Sequence, residues 1–222
     1  MSTNASAVPS SERSRDAVKR NEARLQVELE EKGMSLGSPV FIRIFKSTAK
    51  LEMWVQKGTT FELFRTYDIC RFSGRLGPKE KTGDYQAPEG CYFVKSRAMN
   101  PQSKFHLSFN LGYPNAYDRH HKRTGSALMV HGSCVSIGCF AMGDDNIEEI
   151  WTLCTKALER GQSYFRVHCF PFELTETNLT RYSSSEWHDF WTNLKEPYDY
   201  FETHKVPPNV VVRDGKYAVT GS

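Results

Sequence analysis

The sequence predicts a mainly β fold with accompanying helices (α+β), and three observations carry that reading. The runs VFIRIF, LEMWVQ and FELFRTYDI alternate apolar with polar residues, and KSTAK and KGTT separate them as turns, so three short strands pair as a meander. Strand signals resume at CYFVK, KFHLSFNL, SALMVH and YFRVHCF. Among them lies one long helical pattern, GDDNIEEIWTLCTKALERG, whose acidic start and closing Gly161 predict a helix over roughly 144–160.

The remaining segments surround that β-rich unit. Residues 1–15 are polar and poor in apolar side chains, which predicts disorder. Residues 16–32 carry strong helix formers and end at Gly33, a C′ residue. Their sparse apolar positions predict an accessory helix rather than a core element. Residues 73–90 form a loop rich in Gly and Pro. From Glu173 the composition turns aromatic, with two or three short helices (NLTRY, SEWHDFWTNL, PYDYFETH) followed by a hairpin at Asp214–Gly215. The expected division is therefore 1–36 as tail and accessory helix, 37–172 as the catalytic unit, and 173–222 as a C-terminal extension packed on it.

Composition narrows the function classes. With 29 Lys and Arg against 26 Asp and Glu, the net charge is +3 and interleaved, which argues against a nucleic-acid groove. No stretch is long and apolar enough to cross a bilayer as a helix, and no signal-peptide pattern opens the chain. The six cysteines are scattered rather than set out as a small disulfide framework, and taken alone they suggest buried thiols in a reducing compartment.

The chemistry is concentrated in Leu128–Met142, LMVHGSCVSIGCFAM. An apolar strand delivers His131, a glycine-containing turn follows, and Cys139 stands shortly before an acidic helix start. A neighbouring imidazolium and a helix N-terminus both lower a thiol pKa, and thiolate is the nucleophilic form. Gly132 and Gly138 allow the tight turns that bring the imidazole back toward the sulfur. An arbitrary His and Cys are most often a satisfied core histidine and an inert thiol. The Gly-flanked placement between strand and helix brings the two readings level.

The segment HG-x-C-x-S-x-GC resembles a shortened form of the YkuD-type L,D-transpeptidase signature, and more closely its YafK-like (DpaA) branch. The resemblance runs through GSPVFIRIFK, YDICRFSGRLGPKEKTGDYQAPEGCY, NLGYPNAYDR, HGSCVSIGCFAM and FPFELT. It continues in the tail through FW-x-x-LK, YDYFE, KVPP and DGKYAV, covering roughly residues 37–220. It implies a two-sheet or flattened-barrel catalytic domain with one helix after the cysteine, no cofactor, and a periplasmic location. It also implies a nucleophile at Cys139, a base at His131 oriented by a backbone carbonyl at Gly132 or Ser133, and oxyanion donors on the backbone around Gly138 and Cys139. The substrates implied are peptidoglycan stem peptides, and the branch is associated with detaching the outer-membrane lipoprotein from meso-diaminopimelate. Two departures weaken a cross-linking role: Ile137 replaces the His of SHGC, and Phe140–Ala141 replace the usual Ile/Val-Arg. In a periplasmic protein Cys70 and Cys134 are candidates for a disulfide, with unpaired burial equally admissible.

Other residues carry weaker expectations. Arg119 is a candidate for binding a stem-peptide carboxylate, and Ser136 lies within the cysteine motif as a second substrate contact. Tyr117 and Asp118 either join Arg119 or brace the site. The aromatics Trp187, Phe190, Trp191, Tyr198, Tyr200 and Phe201 have helical spacing and are expected to pack. One rival reading makes His131, Cys134 and Cys139, with His168 or Cys169, the ligands of a structural zinc, although H-x2-C-x4-C is not a recurring zinc spacing. Another is a non-catalytic envelope-binding module. Within the enzyme class, a transpeptidase forming 3-3 cross-links or attaching protein to peptidoglycan stands beside the hydrolase.

Overall fold

A computed structural model of the chain describes residues 7–221. Eleven strands are present among them: β1 Val40–Phe45, β2 Lys50–Lys57, β3 Thr60–Asp68, β4 Gly90–Val94, β5 Met99–Asn100, β6 Ser108–Asn110, β7 Met129–His131, β8 Phe140–Ala141, β9 Phe165–Phe170, β10 Val210–Arg213 and β11 Lys216–Val219. The helices are α1 Glu12–Glu31, α2 Ala116–His120, α3 Asp144–Glu159, α4 Glu176–Arg181 and α5 His188–His204. Two sheets dominate. The larger has the order β3-β2-β1-β9-β4, with the expected meander at one side, and the smaller has the order β5-β6-β7-β8.

Strand β1 shows how the layers form. It is flanked by β2 and, in parallel, by β9, and all six of its residues are buried. Side chains alternate across a strand, so Val40, Ile42 and Ile44 enter the main core while Phe41, Arg43 and Phe45 face the opposite side. The main core lies between the two sheets, where the Phe109 and Phe165 rings meet edge-on at 5.3 Å. On the far face α5 packs down through Phe190, Trp191, Leu194, Tyr198 and Phe201. Arg43 is buried there, paired with Glu52 and Glu202, its guanidinium 4.9 Å from the Phe201 ring. The aromatic run of the tail is packing.

Several elements differ from the expectation. Helix α1 begins at Glu12, because Ser11 caps it in a reciprocal box with Ser14, so the predicted disorder over 1–15 fails from residue 11 onward; residues 1–6 lie outside the described residues. Nor is α1 peripheral: Ala17, Leu25 and Leu29 are fully buried in the main core. Asn21 completes their four-residue spacing and reaches Glu148 of α3 at 3.4 Å, so a polar side chain occupies part of the buried stripe. KFHLSFNL yields only β6 and SALMVH only β7, because His106 and Ala127 adopt positive φ (67° and 56°) and turn the chain out of the ladder. SEWHDFWTNL and PYDYFETH merge into the single helix α5 with Pro197 inside. One forfeited backbone bond is outweighed by the continuous buried stripe on either side of it. The hairpin forms as expected, with Asp214 and Gly215 both left-handed (φ 49° and 73°).

Burial also sets an acid limit on the fold. His168 in β9 is 1% exposed, has Phe41 edge-on at 4.9 Å, and its Nδ1 has no hydrogen-bond partner. Desolvation, helped by Arg166 and Arg43, pulls it from the ordinary 6.5 down to about 3. Between those values the unfolded chain binds a proton that the folded chain refuses. The stability is therefore present above pH 6.5 and falls as pH drops toward 3, by about 1.4 kcal/mol per unit. His168→Phe should reduce the loss between pH 7 and pH 5, measured by urea unfolding, by about 2 kcal/mol. An unchanged loss would mean that His168 does not limit acid stability.

Candidate active site

Parallel pairing of β7 with β8 builds the centre. Val130 is opposite Phe140 and His131 opposite Ala141, so extending the register one residue sets Cys139 beside Met129. The Met129 N–H points at Cys139 Sγ at 3.4 Å, and the Ala127 carbonyl lies 3.6 Å from the sulfur. Met129 and His131 share a face of β7, and Cys139 projects from the same face of the pair. Thiol and imidazole thus stand diagonally across adjacent strands, while Phe140 turns into the core, fully buried. Cys139 is half-buried and accessible from outside.

His131 is held in one tautomer. Its Nδ1 lies 2.5 Å from the Gly132 carbonyl, which can only accept, so Nδ1 carries the hydrogen and Nε2 keeps a free lone pair. The Phe105 ring covers the imidazole at 4.8 Å. Gly132 must be glycine, since a Cβ there would sit 2.6 Å from Asp144 Oδ1 and 2.9 Å from the Phe105 carbonyl. Burial pushes His131 below the ordinary histidine value, opposed by the bond to Gly132. Burial also pushes the Cys139 thiol up, opposed by the Met129 N–H and the charge of Lys79. Both shifts favour a neutral thiol and a neutral imidazole at rest, rather than the preformed ion pair the motif suggests.

Four residues, Phe140 to Gly143, separate Cys139 from the start of α3, so the helix does not begin directly at the sulfur. The field of a helix end fades within a turn. Asp144, at the start of α3, instead accepts the Ser133 N–H at 2.7 Å and fixes the turn after His131, where Ser133 itself is left-handed (φ 56°).

The remaining expected residues are placed unevenly. Ser136 is committed to the turn: its hydroxyl donates to the Cys139 carbonyl at 2.6 Å and accepts from Gly138 N at 3.1 Å. The Gly138 N–H is therefore engaged in this state. Tyr117 and Asp118 lie in the interior. Tyr117 stacks on Tyr217 of the hairpin at 4.5 Å, and Asp118 forms a buried ion pair with Arg123 at 3.0 Å. Arg119 is exposed and bonded to the Pro114 carbonyl. It does not line the groove of about 730 Å³ that adjoins the sulfur through Ala127 and Met129. That groove has Lys95 and Arg97 instead, which sequence reasoning missed because nothing in KSRAM marks them. Cys70 and Cys134 are joined in a disulfide, with Cα atoms 5.5 Å apart. The zinc reading fails here: Cys134 is spent in that bond, and His168 and Cys169 belong to the other sheet.

This fold, with a cysteine and a histidine on paired strands beside an open groove, is that of an L,D-transpeptidase catalytic domain. Residues 39–168 match the YkuD family, described as the L,D-transpeptidase catalytic domain. The chain belongs to that family, a group of cysteine enzymes of peptidoglycan, and falls with its YafK-like members. It is 45% identical over 194 residues to the protein named as L,D-transpeptidase YafK in Escherichia coli (strain K12), covering 87% of this chain and 79% of that one. The O157:H7 counterpart gives the same figures. Among solved structures, a variant of the helical cell shape determining protein Pgp2 from Campylobacter jejuni superposes with a TM-score of 0.50 at 19% identity. That match covers 82% of this chain and only 64% of Pgp2, so it speaks for the fold alone.

Proposed function

We propose that this chain is a cysteine amide hydrolase of peptidoglycan that cleaves the bond between meso-diaminopimelate and the C-terminal Lys of the outer-membrane lipoprotein. The observation that carries the reading is the half-buried Cys139 sulfur, held by Met129 and Ala127 where these two residues line a groove, with His131 locked so that Nε2 is the free base. In the first half-reaction Cys139 Sγ attacks the carbonyl at the L-centre while His131 Nε2 takes the thiol proton. The amide C–N bond breaks, Nε2 protonates the leaving Lys amine, and a thioester remains. Water then attacks the thioester, gives a proton through His131, and the thiol is restored. Gly132 orients the base, and Ser133, Ser136 and Gly138 shape the turn.

The likeness to YafK supports a peptidoglycan enzyme of the L,D-transpeptidase kind. Support for hydrolysis comes from Phe140 and Ala141, both fully buried, at the positions where cross-linking members carry Ile/Val-Arg. The Cys70–Cys134 disulfide suits an oxidising compartment such as the periplasm. We assign catalysis to residues 37–172, buttressed by 173–222 through the Trp191 indole, which donates to Glu89 at 2.8 Å beneath the 73–90 loop. The second reading, a transpeptidase, differs only in having an amine in place of water. Purified protein incubated with lipoprotein-linked muropeptides should release the lipoprotein's Lys-terminal peptide, detected by mass spectrometry. Cross-linked dimers formed from free tetrapeptide muropeptides, without that release, would replace hydrolysis by transpeptidation.

A further inference from the structure

The groove beside Cys139 does not end at Arg97. Strand β4 is the free edge of the larger sheet, and side chains alternate along it. Tyr92 and Val94 point into the main core, whereas Cys91, Phe93 and Lys95 take the opposite face with His168 and Arg166 of β9 beside them. Cys91 and His168 are covered there, and Phe93 and Lys95 are exposed. A second cavity of about 410 Å³ lies on this outer face, reaching to Asn209 and Val211 at the hairpin. Phe93 and Lys95 line both cavities, so the two adjoin at this edge.

The charge of this surface is one-sided. It holds Lys95, Arg97 and Arg166, and among the described residues lining the two cavities none is acidic. The whole chain balances 29 bases against 26 acids, so this concentration is local. None of the three cations is in an ion pair within the described residues, although 17 such pairs occur elsewhere among them. Arg166 is also pre-positioned, donating to the Tyr164 hydroxyl at 3.2 Å and to Asn209 Oδ1, with its guanidinium 5.1 Å from the Tyr164 ring. Phe93, 55% exposed, stands 5.5 Å from the Tyr164 ring, which gives the surface an aromatic floor.

We infer that the outer face of β4 and β9, with Lys95 over Phe93, Arg166 over Tyr164 and Arg97 in the adjoining groove, is a subsite for an extended chain bearing several carboxylates. Resting on the proposed function, that chain is the stem peptide still attached to its sugar. Cys91 to Lys95 spans about 13 Å, enough for about four extended residues. Cations outside any ion pair give up no carboxylate partner on binding a new one, and a guanidinium such as that of Arg166, held at one edge by Tyr164 and Asn209, keeps further N–H groups to offer as a planar fork. Exposed aromatic faces suit the apolar face of a sugar ring. The subsite therefore selects wall-attached, multiply charged substrate over short neutral amides.

Binding to Cys139→Ala protein by calorimetry separates this inference from the hydrolase reading, since no turnover is needed. A disaccharide-tetrapeptide muropeptide should bind about tenfold more weakly for each of Lys95→Ala, Arg97→Ala and Arg166→Ala, with weaker salt dependence. The same muropeptide with its carboxylates amidated should bind the parent Cys139→Ala protein weakly, a comparison that needs no further substitution. In the Cys139-containing background, alkylation of the thiol by iodoacetamide should remain as fast in each variant as in the parent. Equal affinity for the charged and amidated ligands, or for the triple variant and the parent, would overturn the inference. Lipoprotein cleavage failing while these differences persist would remove the hydrolase reading and keep the subsite.

Discussion

Cys139→Ala is expected to lower turnover by roughly 10⁴-fold or more while leaving the far-ultraviolet circular dichroism and Tm unchanged. The half-buried sulfur sits at the surface end of β8, and removing one atom leaves the β7–β8 pairing intact. His131→Ala should cost about 10²- to 10⁴-fold, the range of a general base. It will also cost stability, because the imidazole is 2% exposed and bonded to Gly132. The two effects do not add, since base and nucleophile act in one proton transfer. Product release from lipoprotein-linked muropeptides measures both. A Cys139→Ala protein with more than trace turnover would move the nucleophile elsewhere.

The resting protonation state sharpens this expectation. The thiol is raised above its ordinary value of 9 and the imidazole lowered below 6.5, so both are neutral near pH 7. Neutral imidazole is the base, hence turnover holds at neutral pH and is lost only as pH falls through the depressed histidine value. Alkylation by iodoacetamide, which consumes thiolate, should instead climb steadily on the alkaline side. A preformed thiolate–imidazolium pair would give a flat, high alkylation rate from acid to neutral pH. The shape of that profile decides between them.

What the sequence revealed depended on the range of the interaction. The β1–β3 meander and α3 follow from local periodicity, and the hairpin from two residues suited to left-handed backbone. The His131–Cys139 pair was legible because one short turn contains it. Docking of α1 was not, because Asn21 and Ser14 sit where apolar residues would have marked a buried stripe. The outer subsite was hidden for a related reason. Phe93 meets Arg166 only through cross-strand register, and isolated cations in KSRAM and YFRVH carry no local signal. Arg119 drew attention by lying just before the active strand, but α2 carries it away from the groove.

Loss of the Cys70–Cys134 bond is expected to be the most damaging change outside the catalytic pair. The bond closes a 64-residue separation, and loop-closure entropy in the unfolded chain makes that worth about 4 kcal/mol. It also has a particular place in the fold. Cys70 follows β3 and Cys134 lies in the turn between His131 and Cys139. Next to it Arg71 exchanges two backbone bonds with Ala141, at 3.1 and 2.8 Å. Bond and bridge together tie the catalytic turn and the start of α3 to the edge of the meander. The Cys70→Ser, Cys134→Ser double variant should therefore melt roughly 10 °C lower, and dithiothreitol should lower the Tm of the parent similarly while leaving the variant unmoved. Both sulfurs belong to exposed residues, so a reductant reaches them under native conditions. The bonds that present the nucleophile, from Met129 N to Sγ and from Ser136 to the Cys139 carbonyl, do not pass through the disulfide. Well below the transition, Cys139 should thus keep its alkylation rate in the double variant. An unchanged Tm would assign the stability of this region to β7–β8 pairing and the Arg71 bridge alone.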